Sequence, residues 1–152
     1  MHAPHTHVFD SSLQKANVWL KELMEELDWE DDRRTHRALA ATLHTLRDRL
    51  TVEEAAELGS QLPTLIRGIY FEGWRPTGKP VKERHKEQFL SHIEQAFRGD
   101  FQAEPERVAR AVLKVLARHV SAGEMEDVWL ILPREIRDLL PTLTPRHRAG
   151  VA

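Results

Sequence analysis

The chain has 152 residues, enough for one compact unit with a core of its own. It contains no cysteine, which excludes disulfides, a thiolate zinc site and a cysteine nucleophile. Its 22 basic and 24 acidic side chains give a formal net charge of −2, which argues against nucleic acid as the principal partner, because phosphate binding usually needs a basic excess. With no apolar signal segment and no run near the roughly 18 apolar residues of a membrane span, we expect a soluble cytoplasmic protein without a membrane partner.

The first 50 residues are predicted to form a tail followed by two helices. Residues 1–9 contain His and Pro, and we expect them to be a disordered tail. Asp10 is the predicted N-cap of the first helix, with Trp19 and Trp29 at the boundary of its apolar face. That face is predicted to be Leu13, Ala16, Leu20, Leu23 and Leu27. The second helix is predicted from about residue 33 to residue 50.

Acidic residues crowd the end of the first helix and the link beyond it. They are Glu22, Glu25, Glu26, Asp28, Glu30, Asp31 and Asp32. A carboxylate metal site is one interpretation, and a solvated face with negative charges near the next helix N-terminus is the other. We favour the second, because no Glu is followed three residues later by His, the spacing of dimetal bundle sites. We therefore predict no metal site and no cofactor, and interpret His36 and His44 as boundary residues.

Two capping signatures and two Leu-Pro junctions mark later helices. Thr51 with Glu54, and Ser121 with Glu124, match the capping box, in which the hydroxyl accepts from the Glu amide and the Glu side chain reaches back. These signatures predict the third and seventh helices. Pro63 and Pro133 are predicted to open short fourth and eighth helices, since proline suits a first turn.

Between the fourth and fifth helices the string GWRPTGKP holds two glycines and two prolines, and predicts the strong internal break of the chain. The basic run KERHKEQ is predicted to open the fifth helix, and Pro105 to be the first residue of the sixth. The residues from 142 onwards are expected to be a second disordered tail.

The chain also resembles itself at an offset of 70 residues. Between 19–70 and 89–140, ten of the 52 ungapped pairs are identical. Shared helical periodicity could align leucines, but it would not also align the capping box and the Leu-Pro junction. We therefore predict an all-α fold in which a duplicated unit of about four helical segments, 11–72 and 81–141, forms one compact bundle over 10–141.

The first unit continues past the point where the second one ends, and this extension is the predicted contact surface. Aromatic and basic side chains could bind an acidic partner or a phosphate through cation and aromatic contacts, or they could fasten the connection onto the core. The predicted binding residues are Arg67, Tyr70, Trp74, Arg75, Lys79 and Lys82.

Two stretches, LRDRLTVEEAAELGSQLPTLIRGIYFEGW and VLARHVSAGEMEDVWLILPREIRDLL, carry a family resemblance. Over residues 17–141 the chain resembles the bacterial family known as domain of unknown function 2267. The resemblance implies an all-helical duplicated domain in soluble bacterial proteins, and it brings no activity or catalytic residues with it.

Enzyme motifs such as GxSxG, a Walker loop, HExxH and GxGxxG are absent. Our leading hypothesis is a non-enzymatic binding or regulatory module with a protein partner. The alternatives are an enzyme or small-ligand receptor with a pocket between the units, and a nucleic-acid or ribosome-associated protein. Two carboxyl groups brought together by folding could also perform acid-base chemistry.

Overall fold

Eight helices and no strand occupy residues 6–142, the part of the chain that the computed structural model describes. The predicted all-α fold is thus confirmed for this range, while most of both predicted tails, residues 1–5 and 143–152, lies outside it. The helices are α1 (Asp10–Leu27), α2 (Asp32–Arg47), α3 (Val52–Ser60), α4 (Thr64–Phe71), α5 (Lys86–Ala96), α6 (Pro105–His119), α7 (Ala122–Ile131) and α8 (Arg134–Arg137).

Four longer helices form the centre of the molecule. α1 packs on α6, α2 packs on both α5 and α6, and α1–α2 and α5–α6 pack as sequential neighbours. The shorter helices lie around this centre: α4 contacts α1 and α2, α8 contacts α5, and α3 contacts α7. One hydrophobic core therefore draws residues from the first and second parts of the chain alike.

These contacts have the symmetry expected of two related units. If α1 corresponds to α5 and α2 to α6, then the α1–α6 contact corresponds to the α5–α2 contact, and α1–α4 corresponds to α5–α8. Thr51 Oγ1 accepts from the Glu54 amide at 3.1 Å, and Ser121 Oγ accepts from the Glu124 amide at 3.2 Å. These matches support the proposed duplication, which stays a prediction.

The apolar face predicted for α1 is partly wrong. Trp19 is 2 % exposed and belongs to the core, where its ring stacks on His119 at 4.8 Å between centroids. Leu13, which we predicted to face inward, is 50 % exposed. The buried line is Trp19, Leu23 and Leu27, four residues apart, because these positions share the side of α1 that faces its neighbours.

Several helix ends differ from the prediction by a few residues. α2 ends at Arg47, and α5 begins at Lys86 with His85 as its N-cap, so residues 82–85 of the basic run are not helical. Pro63 and Pro133 occupy N-cap positions, whereas Pro105 is the first residue of α6, as predicted. Asp31 caps α2 by accepting from the amides at residues 33 and 34, which fits the helix-terminus interpretation of the acidic residues.

Candidate functional site

The connecting segment, residues 72–85 between α4 and α5, is fastened at both ends by three consecutive residues at the end of α2. Arg47 Nη1 donates to the carbonyl oxygens of Tyr70 and Glu72, each at 2.7 Å. The carbonyl oxygen of Asp48 accepts from the amide of Val81 at 2.7 Å. The guanidinium of Arg49, which is 4 % exposed, forms an ion pair with Glu83. The segment is therefore held in one place although it forms no helix.

Two glycines determine the backbone path of the connecting segment. Gly73 has φ 73° and Gly78 has φ 76°, a left-handed conformation that L-residues with a side chain rarely adopt. The amide of Trp74 then bonds to the carbonyl oxygen of Phe71 at 3.0 Å, and that of Lys79 to Pro76 at 3.2 Å. These turns decide which side chains of the segment face solvent.

Two of the six predicted binding residues are used within the fold. Tyr70 is fully buried, and its hydroxyl donates to the carbonyl oxygen of Ala55 at 2.8 Å, so it has no surface to offer a partner. Burial raises the pKa of its phenol above the ordinary value. Arg67 is exposed, but its guanidinium donates to the carbonyl oxygens at the end of α3, Gly59, Ser60 and Leu62.

The other four predicted residues lie on the connecting segment. Trp74 is half-buried against Phe71, with 5.4 Å between ring centroids, and its indole N–H is buried without an acceptor. Arg75 and Lys82 are exposed and Lys79 is half-buried. Within residues 6–142, no hydrogen bond or ion pair engages the charged groups of these three cations. The structure therefore separates the predicted surface into a structural part and a free basic part.

A polar cavity of about 290 Å³ lies between α2 and the connecting segment with α5. Its lining includes His44, Asp48, Arg49, Glu83 and His92. These groups already bond within the protein: His92 Nε2 lies 3.0 Å from Glu83 Oε1, and His44 Nε2 donates to the carbonyl oxygen of Ile69 at 2.6 Å. Burial lowers the pKa of the Arg49 guanidinium.

A second cluster, which sequence reasoning missed, brings four carboxyl groups together where α3 meets α7. Glu54 and Glu57 project from α3, and Glu124 and Asp127 project from α7; one oxygen of each lies within 4.8 Å of the others. We call these four residues the carboxyl cluster. Glu54 is 6 % exposed and Glu124 is 3 % exposed, while the other two are exposed.

The two buried carboxyls do not make the capping-box bonds that we predicted for their side chains. Glu54 Oε1 and Glu124 Oε2 are buried and have no hydrogen-bond partner. The amide of Ser121, which Glu124 was expected to reach, donates to Gln61 Oε1 at 2.9 Å instead. Burial, followed by the neighbouring Glu124 carboxyl, raises the pKa of Glu54 to about 9, and burial raises the pKa of Glu124 as well.

The sequence did contain a signal for this cluster. Glu54 pairs with Glu124 at the offset of 70 residues, and Glu57 pairs with Asp127, so both acids recur three residues apart. These four acids do not have the Glu-x-x-His spacing, and the capping-box interpretation gives Glu54 and Glu124 only a local role. The acidic residues near the end of α1, in contrast, do not form one site but make separate contacts, such as the ion pairs of Glu26 with Lys114 and Arg118.

A family model described as "Uncharacterized conserved protein (DUF2267)" matches residues 16–139, which is most of the chain. The chain belongs to this family. The resemblance inferred from the Leu-Pro junctions is thereby confirmed, and the DUF2267 description assigns no activity. A comparison with curated proteins gives no match. None of the helices within residues 6–142 has both the length and the apolar character needed to cross a bilayer.

Proposed function

We propose that this DUF2267 protein is a non-enzymatic binding module whose contact surface is the basic part of the connecting segment. The observation that carries the proposal is that Arg75, Lys79 and Lys82 have no charged partner within residues 6–142 and lie on a segment fastened at both ends. A segment that is already ordered loses less conformational entropy on binding than a mobile one. The fold thus presents positive charge at low entropic cost.

The partner that fits this surface is an acidic segment of another protein. An exposed ion pair contributes about 0.2–1 kcal/mol, so three pairs give a weak and salt-sensitive contact. Such a contact suits a reversible, regulatory association in the cytoplasm. The chain has net charge −2, and this local basic surface is short, which favours an acidic protein over a nucleic acid.

The test compares a triple charge reversal, Arg75→Glu, Lys79→Glu and Lys82→Glu, with a matched control. The control reverses three exposed cations elsewhere, Lys15, Lys21 and Arg98, and so changes the net charge equally. We expect wild type and control to retain an acidic protein from native lysate, identified by mass spectrometry, and the segment variant to lose it at least about tenfold, which is the effect of 1.4 kcal/mol.

Equal retention by all three proteins would contradict the proposal. Retention of RNA or DNA, abolished by nuclease, would favour the nucleic-acid alternative, because such binding falls steeply with salt. Circular dichroism of each variant should show unchanged helicity, since within residues 6–142 no hydrogen bond or ion pair uses the charged groups of the six cations.

A small-ligand receptor is the second candidate, and the polar cavity between α2 and α5 favours it. A ligand there would have to replace existing bonds, such as those of Arg49 with Glu83 and with the carbonyl oxygen of Thr45. Shifts of the His44 and His92 imidazole NMR signals upon addition of a metabolite mixture would support it, and unchanged signals would count against it.

A further inference from the structure

We propose that the carboxyl cluster at the α3–α7 contact is a binding site for a hard divalent cation of the size of Ca²⁺ or Mn²⁺. The proposal is independent of the basic connecting segment. It rests on the arrangement of Glu54, Glu57, Glu124 and Asp127, and on one buried oxygen in each of Glu54 and Glu124 that has no hydrogen-bond partner.

The first argument concerns charge. Four carboxyl groups with oxygens within 4.8 Å of one another cannot all be ionised without a counter-charge. Within residues 6–142 no ion pair joins any of the four to Lys, Arg or His. A cation at the centre would supply the charge that the surrounding side chains do not.

The second argument concerns the buried oxygens. An unpaired polar group that is removed from water costs free energy, so such groups normally have partners. Glu54 Oε1 and Glu124 Oε2 have none, although both residues are more than nine-tenths buried and their carboxyls face into the cluster. An acid in the first turn is favourable for the helix by itself, but that role needs neither burial nor a second acid opposite.

The third argument concerns the kind of ion. The donors are all carboxylate oxygens, which suit Ca²⁺, Mn²⁺ and Mg²⁺ rather than softer metals. Oxygens on opposite sides of a Ca²⁺ ion are about 4.6–5.2 Å apart, because Ca–O distances are about 2.3–2.6 Å, whereas around Mg²⁺ they are about 4.0–4.2 Å apart. All four oxygens lie within 4.8 Å of one another, which one Ca²⁺ ion can span, whereas Mg²⁺ usually takes only one or two carboxylates and keeps several waters.

The positions of the four carboxyl groups also indicate the effect that a bound ion would have. Two ligands come from α3 and two from α7, so a bound cation would join the first part of the chain to the second. A ligand that binds the folded state alone raises its stability. We therefore expect the thermal midpoint to rise with cation concentration.

The experiment uses the full chain after treatment with a chelator, with CaCl₂, MnCl₂ and MgCl₂ as separate probes. Isothermal titration calorimetry measures affinity, and thermal unfolding measures the midpoint. The test variant is Glu57→Gln with Asp127→Asn, which alters only the exposed ligands and so leaves the core intact. The matched control is Glu53→Gln with Glu126→Gln, which removes two charges from the same helices outside the cluster.

We expect wild type and control to bind Ca²⁺ or Mn²⁺ with one site per chain, and the cluster variant to bind at least about tenfold more weakly, since affinity follows the number of charged ligands. Mg²⁺ should bind more weakly than either. If none of the three chlorides at millimolar concentration gives a heat of binding or a shift of the thermal midpoint, the proposal is overturned. Glu54 and Glu124 would then be a pair of carboxyls that only share protons. Equal binding by the cluster variant would show an adventitious ion only.

Discussion

The hydroxyl of Tyr70 lies 2.8 Å from the carbonyl oxygen of Ala55, inside the molecule and away from any partner. A phenol or a guanidinium can serve either a partner or the fold. The presence of Tyr70 and Arg67 in the sequence therefore did not show which role each residue has. For Arg67 the sequence did contain an indication of its role, because an arginine, Arg137, stands at the equivalent position 70 residues later. Arg137 likewise donates to the carbonyl oxygens of Leu130 and Leu132, as Arg67 does to those of Ser60 and Leu62. These equivalent bonds in both units indicate a structural role for Arg67.

Tyr70→Phe should lower the free energy of unfolding by about 1 kcal/mol, because it removes one buried hydrogen bond and leaves the ring in place. Urea denaturation measures the loss. In Trp74→Phe the indole N–H has no acceptor to lose, so any loss of stability there comes from ring packing against Phe71. An unchanged free energy of unfolding in Tyr70→Phe would show that the tyrosine hydroxyl is not an anchor of α4 on α3.

Among the elements, α3 and α4 show why the two units differ in sequence. A Cβ atom at Gly59 would overlap the ring of Phe71, and Tyr70 lies beside it. At the equivalent position of the second unit stands Trp129, which packs partly buried against the core under the guanidinium of Arg137, 4.2 Å from the ring centroid. The glycine thus makes room for an aromatic residue that the second unit, ending at Leu140-Pro141, does not have.

Gly59→Ala should therefore destabilise the protein by about 1–3 kcal/mol through overpacking against Phe71. Gly68→Ala is the control, since a Cβ there meets nothing within 4 Å in the helix α4. It should stabilise by about 0.5–1 kcal/mol, the usual gain from replacing glycine within a helix. Thermal unfolding of both variants measures the contrast, and two changes of the same sign would contradict this packing.

The order of helices could be predicted because their signals are local: caps, prolines and apolar spacing act within a few residues. Two features depended on distant parts of the chain. Glu83, in the basic run, forms an ion pair with Arg49 and lies before α5, which begins at Lys86. The carboxyl cluster forms because α3 packs against α7, and no local sequence pattern in either helix predicts that contact.

At the scale of the whole molecule, the core consists of residues from both parts of the chain, and the central contacts exchange partners between them. This sharing agrees with the single compact bundle that the sequence predicted for the two units. The exchange itself, with α1 against α6 and α2 against α5, follows from how two related units pack, which requires three-dimensional information. Of the two proposed sites, the carboxyl cluster depends on the packing of the two units, because it joins α3 to α7. The connecting segment is fastened within the first unit, by residues 47–49.

The most direct test of this shared core is to express residues 1–80 and 81–152 as separate chains and to follow their thermal unfolding by circular dichroism, alone and mixed. Since each unit leaves its half of the core open to water, neither fragment should show a cooperative transition alone, and the equimolar mixture should recover one. Two fragments that each unfold cooperatively alone, with midpoints unchanged on mixing, would contradict it.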